Sequence, residues 1–186
     1  FEMPLLGFHQ VVNGAVAYAT LRSADERGLH IQDEAVREGF RTVDWPGRFQ
    51  VLSQAPVVVV DSAHNRDSAL KLRLALDDYF PGQPVTLIFG ASADKDIEGM
   101  FAELAPRGSK VIVTPAVRPR AAEPEAVAAM ARGHGVRVEI IVPVKRALDE
   151  ALARARPHEV ILSAGSLFVT SEMLTAWAEK QGAAEP

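Results

Sequence analysis

From Val57 onward, short apolar runs and amphipathic stretches take turns, and this alternation limits the possible folds more than any other feature of the chain. The runs are "VVVVD", "VTLIFG", "KVIVT", "RVEII" and "EVILS". Helical stripes follow them: Leu72, Leu76 and Phe80; Ile97, Met100, Phe101 and Leu104; Val127 with Met130; Leu148 with Leu152; and Met173, Leu174 and Trp177. Strands that are apolar on both sides, separated by helices, predict βαβ crossovers and a parallel sheet covered on both faces. "RFQVLS" precedes the first run across Gln54-Ala55-Pro56 and is expected to pair with it as an antiparallel edge strand. The expected fold class is therefore α/β: a Rossmann-like, mostly parallel six-stranded sheet with one antiparallel edge strand and helices on both faces. Asn65, Asp96, Pro124 and Ser166 mark helix entries.

A short helical segment precedes this unit. "FHQVVNGAVAYATLRSADERG" predicts a helix with Val12, Val16 and Ala19 at helical spacing and Gly28 as its stop. "QDEAVREGFRTV" predicts a second, with Ala35, Val36, Gly39 and Phe40 on one side. Pro46 and Gly47 then break the pattern, which places a boundary between residues 1–45 and 46–186. The opening "FEMPLLGFHQ" lacks an initiator methionine, as expected of a piece of a longer chain, and the closing "QGAAEP" is expected to fray.

The net charge of -4, with Lys and Arg scattered, argues against a nucleic-acid partner. Without cysteine there is neither a disulfide framework nor a thiolate metal site. The longest apolar run, Ala55 to Val60, falls far short of the ~20 residues that span a bilayer. With no secretion signal either, no membrane partner and a cytoplasmic location are expected.

In open parallel sheets, ligands bind beyond the carboxyl ends of the strands. That rule collects Asp61, Ser62, His64 and Asn65 after the first parallel run, and Ser92, Asp94, Lys95 and Asp96 after the second. It adds Thr114 and Arg118 after the third, and Ser163, Gly165 and Ser166 after the last. Taken singly, each has a plain structural reading: Asn65, Asp94 and Asp96 as helix caps, His64 as a loop histidine, Lys95 as a solvated cation. Together, with several at helix N-termini, they suggest an anion or nucleotide site along one edge. No G-x-x-x-x-G-K-[ST], no dinucleotide G-x-G-x-x-G after a strand and no G-x-S-x-G occurs. His9 and Asn13 share a helix face, but that pair does not make a metal site.

Five stretches, "LLGFHQVVNGAVA", "WPGRFQVL", "VVVVDSAHNRDSALKL", "GASADKDIEGM" and "LSAGSLF", resemble in order and spacing the folylpolyglutamate synthase / dihydrofolate synthase group of the Mur ligase superfamily. Ser62 departs from the pattern, standing where that group usually has glycine. The resemblance implies a three-domain, ATP-dependent amide-forming enzyme. Residues 1–45 would be the C-terminal helical end of its central ATPase domain and 46–186 its C-terminal domain. The P-loop, the magnesium ligands and the folate pocket would lie upstream. It further implies that Asn13 meets adenine, Arg48 a phosphate and Asp61 the ribose, with His64 supporting the same loop; Arg48 and Asp61 are both expected at an exposed sheet edge. Lys95 and Ser166 would hold L-glutamate, with Arg118 the next candidate. The implied reaction activates a folate or dihydropteroate carboxylate as an acyl phosphate, which the amino group of glutamate then attacks.

A second class stays open at this point: a stand-alone Rossmann-like nucleotide-binding or regulatory module, with Asp61 as a phospho-accepting aspartate. Such receivers want an acidic pair on a neighbouring loop and a lysine after a late strand, and neither is in place.

Overall fold

The structure, a computed structural model, describes residues 1–182; the expected fray of the closing residues falls largely on 183–186, outside the described residues. Its centre is a six-stranded sheet built from β1 (Gln50–Gln54), β2 (Val57–Val60), β3 (Val85–Phe89), β4 (Gly108–Val113), β5 (Arg137–Ile140) and β6 (Val160–Ala164), in the order β1-β2-β6-β3-β4-β5. Only β1 runs antiparallel, pairing with β2 at the edge, as the hairpin pattern predicts. All other neighbours are parallel.

The alternation of side chains in β2 shows why the strands read as unbroken apolar runs. Val57 and Val59 face one core with Leu72, Leu76, Met100, Phe101 and Val127, which come from α3 (Arg66–Tyr79), α4 (Ile97–Leu104) and α5 (Pro124–Gly133). Val58 and Val60 face the other, with Val144, Leu148, Val169 and Met173 from α6 (Val144–Arg154) and α7 (Leu167–Lys180). Both faces are covered, so period-two patterning disappears.

The helix entries hold. Asn65 forms a reciprocal capping box with Ser68, Asp96 accepts from the Gly99 N–H, Pro124 opens α5, and Ser166 caps α7. Asp94 is not a cap, contrary to expectation; it pairs with Lys95 instead.

The amino-terminal helices, α1 (Phe8–Ala24) and α2 (Asp33–Thr42), are joined by a wider turn over Asp25–Leu29 in which Gly28 takes a φ of 99°. Gly28 stops the helix as predicted. The predicted stripe is another matter: Val12, Val16 and Ala19 are exposed, and the two residues that α1 buries are Gln10 and Gly14. On α2, Val36 is buried while Ala35 and Gly39 are exposed. Among the described residues no helix is long and apolar enough to cross a membrane.

Candidate functional site

The chain leaves the end of β2 as Asp61, whose N–H donates to the Ser163 carbonyl at 2.9 Å and so extends the ladder to β6 by one step. Its side chain is turned inward and is only 7% exposed. One carboxylate oxygen, Oδ2, accepts from the Phe49 N–H at 2.8 Å, and the other, Oδ1, from the Ala63 N–H at 2.7 Å. Phe49 has a φ of 42°, a left-handed conformation unfavourable for a bulky residue, and the Asp61 carboxylate holds it there. Burial pushes the Asp61 carboxyl above its usual range, opposed by those two backbone donors and by the positive charge of Arg48. Ser62 is buried, and both its N–H and its hydroxyl donate to the Gly47 carbonyl, at 2.9 and 2.8 Å. A glycine there would supply only the first of these.

Asp61 opens onto a cavity of about 990 Å³ between α1, α2 and α3. Asn13 from α1, Arg48 from the loop before β1 and Asp61 from the end of β2 all line it, so three segments distant in sequence meet in one space. The Asn13 amide donates to Gln10 Oε1 at 3.0 Å. The Arg48 guanidinium lies over the Trp45 ring, 5.6 Å from its centre.

The wall also contains His9, Asp67 and Lys71, which sequence reasoning left unassigned. The signal was available: His9 and Asn13 are one helical turn apart on the same face. Burial lowers the pKa of His9, and Lys71 and Arg48 act in the same direction, against Asp61 and Asp67. Its ring folds back over Gly7, where a Cβ would come within 2.7 Å of the His9 ring and where φ is 102°. His64 is not on the wall. Its Nδ1 lies 2.9 Å from the Ser62 carbonyl and its N–H donates to Ser68 Oγ at 3.0 Å, which braces the loop between β2 and α3.

Lys95 and Ser166 lie on the same edge of the sheet, beyond the ends of the neighbouring strands β3 and β6, and are absent from the cavity wall. Lys95 Nζ is 3.3 Å from Asp94 Oδ2, and its hydrogen bond holds the Asp94 carboxyl below its usual range. Ser166 is buried and its Oγ accepts from the Phe168 N–H at 3.1 Å. Gly165 brings the chain into that cap with a φ of 110°, where a Cβ would stand 2.6 Å from the Gly90 carbonyl oxygen. Among the described residues no group of three or more His, Asp or Glu side chains is arranged to hold a metal ion. A phospho-accepting role for Asp61 fits poorly with a carboxylate that is buried and engaged at both oxygens.

The family profile described as "Mur ligase, glutamate ligase domain" matches residues 47–167. A Haloferax volcanii protein named "Probable bifunctional folylpolyglutamate synthase/dihydropteroate synthase" is 37% identical over 95% of this chain and 20% of its own length. The folylpolyglutamate synthase of Lacticaseibacillus casei is 33% identical over 91% of this chain and 39% of its own length. Among solved structures, E. coli FolC in complex with DHPP and ADP superposes with a TM-score of 0.85 at 28% identity, covering 97% of this chain and 41% of that one. The chain thus spans between 20% and 39% of the length of these two relatives. With the profile running from Gly47 through the first residue of α7 and across every strand of the sheet, the chain belongs to the Mur ligase family, by its glutamate ligase domain.

Proposed function

We propose that this chain is the C-terminal part of an ATP-dependent ligase that adds L-glutamate to a carboxylate of folate or dihydropteroate, and that it closes over ATP and helps to bind glutamate. The observation that carries the reading is the convergence of Asn13, Arg48 and Asp61 on one cavity. The residue types suit a nucleotide. The Asn13 amide has both donor and acceptor for a purine edge. The Arg48 guanidinium forks onto phosphate oxygens. Each Asp61 oxygen accepts one backbone N–H and keeps a second lone pair for a sugar hydroxyl. ATP would supply the phosphoryl group that activates the acceptor carboxylate. Lys95 and Ser166 would hold the glutamate whose amine attacks it, and His64 would keep the Asp61 loop in place. This chain's share of the work is positioning and charge stabilisation.

Residues 1–45 are read as the helical end of a central ATPase domain and 46–186 as the C-terminal domain. The exposed apolar face of α1 supports this: Phe8, Val11, Val12 and Val16 are 75%, 60%, 50% and 63% exposed, an unusual amount of uncovered apolar side chain for one helix. Magnesium would be held mainly by the upstream domain.

The test compares two proteins. The full-length enzyme is expected to consume ATP in proportion to glutamate added to folate or dihydropteroate, while residues 1–186 alone fold but ligate nothing. Glutamate ligation by residues 1–186 alone would overturn the reading.

A further inference from the structure

Glutamate carries two carboxylates, and Lys95 already has an acidic partner, Asp94, at 3.3 Å. A different cation on the same edge is better prepared. Arg118 lies on the strap between β4 and α5, and its guanidinium sits over the Phe168 ring, 4.6 Å from the centre. Phe168 is the second residue of α7, two residues beyond the Ser166 cap. Among the described residues, no Asp or Glu carboxylate comes within 4.0 Å of the Arg118 side chain.

A nearby carboxylate is engaged by the backbone instead. Glu172, one turn along α7, accepts from the Val117 N–H at 3.0 Å and so spends an oxygen on the backbone next to Arg118. The same bond pins the strap to α7. Its other side is tied to the Lys95 loop: the Ala93 N–H donates to the Arg120 carbonyl at 3.0 Å, the Ala122 N–H to the Ala91 carbonyl at 2.9 Å, and Ser92 pairs with Ala121. Arg118 is thus fixed at its base, stacked on one face, and left with the edge of its fork free. A stacked guanidinium loses water from its flat face but keeps its in-plane N–H donors, the geometry that takes a carboxylate by two parallel bonds.

From this we infer that Arg118 is a second carboxylate receiver for the incoming amino acid, held in place by Phe168, and that with Lys95 it makes the site selective for a dicarboxylic substrate. The inference rests on the ligase reading above and adds to it a residue and a basis for selectivity.

The test uses the full-length enzyme with Arg118→Gln, Arg118→Lys and Phe168→Leu. Arg118→Gln is expected to raise the KM for L-glutamate about tenfold or more with the KM for ATP unchanged, the pattern of a lost ground-state contact. Arg118→Lys and Phe168→Leu should fall between wild type and Arg118→Gln, since the first removes the fork but keeps the charge and the second removes the stack but keeps the fork. Wild type should also discriminate against L-glutamine and against the α-amide of glutamate. Arg118→Gln should lose its discrimination against one of the two, which identifies the carboxylate read by Arg118. An unchanged glutamate KM with both discriminations intact overturns the inference. If Arg48→Ala meanwhile impairs ATP use, the ligase reading survives that result; if Arg48→Ala leaves ATP use untouched as well, the broader reading falls with it.

Discussion

The Phe49 N–H and Asp61 Oδ2 lie 2.8 Å apart, and this bond joins the start of the hairpin to the end of its second strand. The Asp61 side chain is therefore structural before it is anything else, which corrects the expectation that it stands at an exposed edge. Asp61→Ala would leave the buried N–H groups of Phe49 and Ala63 without acceptors and release a backbone held at positive φ. A loss of about 2–4 kcal/mol is expected, read from urea unfolding of this chain. Unfolding midpoints within error of wild type would remove the structural role.

Arg48 gives the cleaner probe of nucleotide. Its side chain is half-buried and makes no ion pair among the described residues, so Arg48→Ala should fold normally. Loss of one charge-assisted contact in the full-length enzyme should cost roughly 1.5–3 kcal/mol in kcat/KM for ATP. Trp45→Ala, which removes only the ring beneath the guanidinium, should cost less, in line with the ~0.5–1 kcal/mol of an exposed cation–π contact.

His9 should titrate below its ordinary 6.5, because burial disfavours the imidazolium. The folded chain then binds fewer protons than the unfolded chain between the lowered value and 6.5. The stabilisation from the neutral ring is complete above that range and is lost as pH falls through the lowered value. Proton NMR of the His9 ring checks the midpoint, and His9→Gln should flatten the stability profile in that window. A midpoint at or above 6.5 contradicts the burial argument.

Lys95→Ala in the full-length enzyme should raise the KM for glutamate far more than that for ATP. Ser166→Ala should do so too, and should in addition cost about 1 kcal/mol of stability through loss of the α7 cap. Equal effects on both substrates would separate Lys95 from the glutamate site.

Two glycines should respond in opposite ways to alanine. A Cβ at Gly90 would stand 2.0 Å from the Thr114 carbonyl oxygen, a backbone atom that cannot move without opening the β3–β4 ladder. A cost of about 3 kcal/mol or more is expected for Gly90→Ala. Gly133, the last residue of α5, has open space around it, and Gly133→Ala should be neutral or stabilise by about 0.5–1 kcal/mol. Thermal unfolding of the two variants decides both.

The strands, the antiparallel edge and four helix entries were legible because each depends on neighbours within a few residues: Asn65 on Ser68, Asp96 on Gly99. The order of the strands was not, since β6 between β2 and β3 is a relation across most of the domain. The inward turn of Asp61 was hidden for a similar reason. Its polar neighbours in sequence suggested an exposed edge, while its partner Phe49 lies one hairpin upstream. On α1 the apolar residues pointed the wrong way, because periodicity finds a stripe but not what covers it; here Gln10 and Gly14 face the body of the fold. Within the candidate site, Asn13, Arg48 and Asp61 were legible through resemblance, and His9 only through its helix face shared with Asn13, whereas Asp67 and Lys71 needed the cavity to be seen.

The place of β6 governs how the molecule is made. It is the last of the six strands in chain order, yet it bridges the β1–β2 hairpin to the β3–β4–β5 block. Until it docks, two half-sheets wait with unpaired flanks of Val57–Val60 and Val85–Phe89, residues that end up wholly interior. Such flanks are open templates for pairing with another nascent chain. Synthesis interrupted ahead of Val160 should therefore yield aggregates rather than a soluble partial domain, and holdase chaperones should stay on this chain until Val160–Ala164 emerges and let go once the strand at its centre arrives.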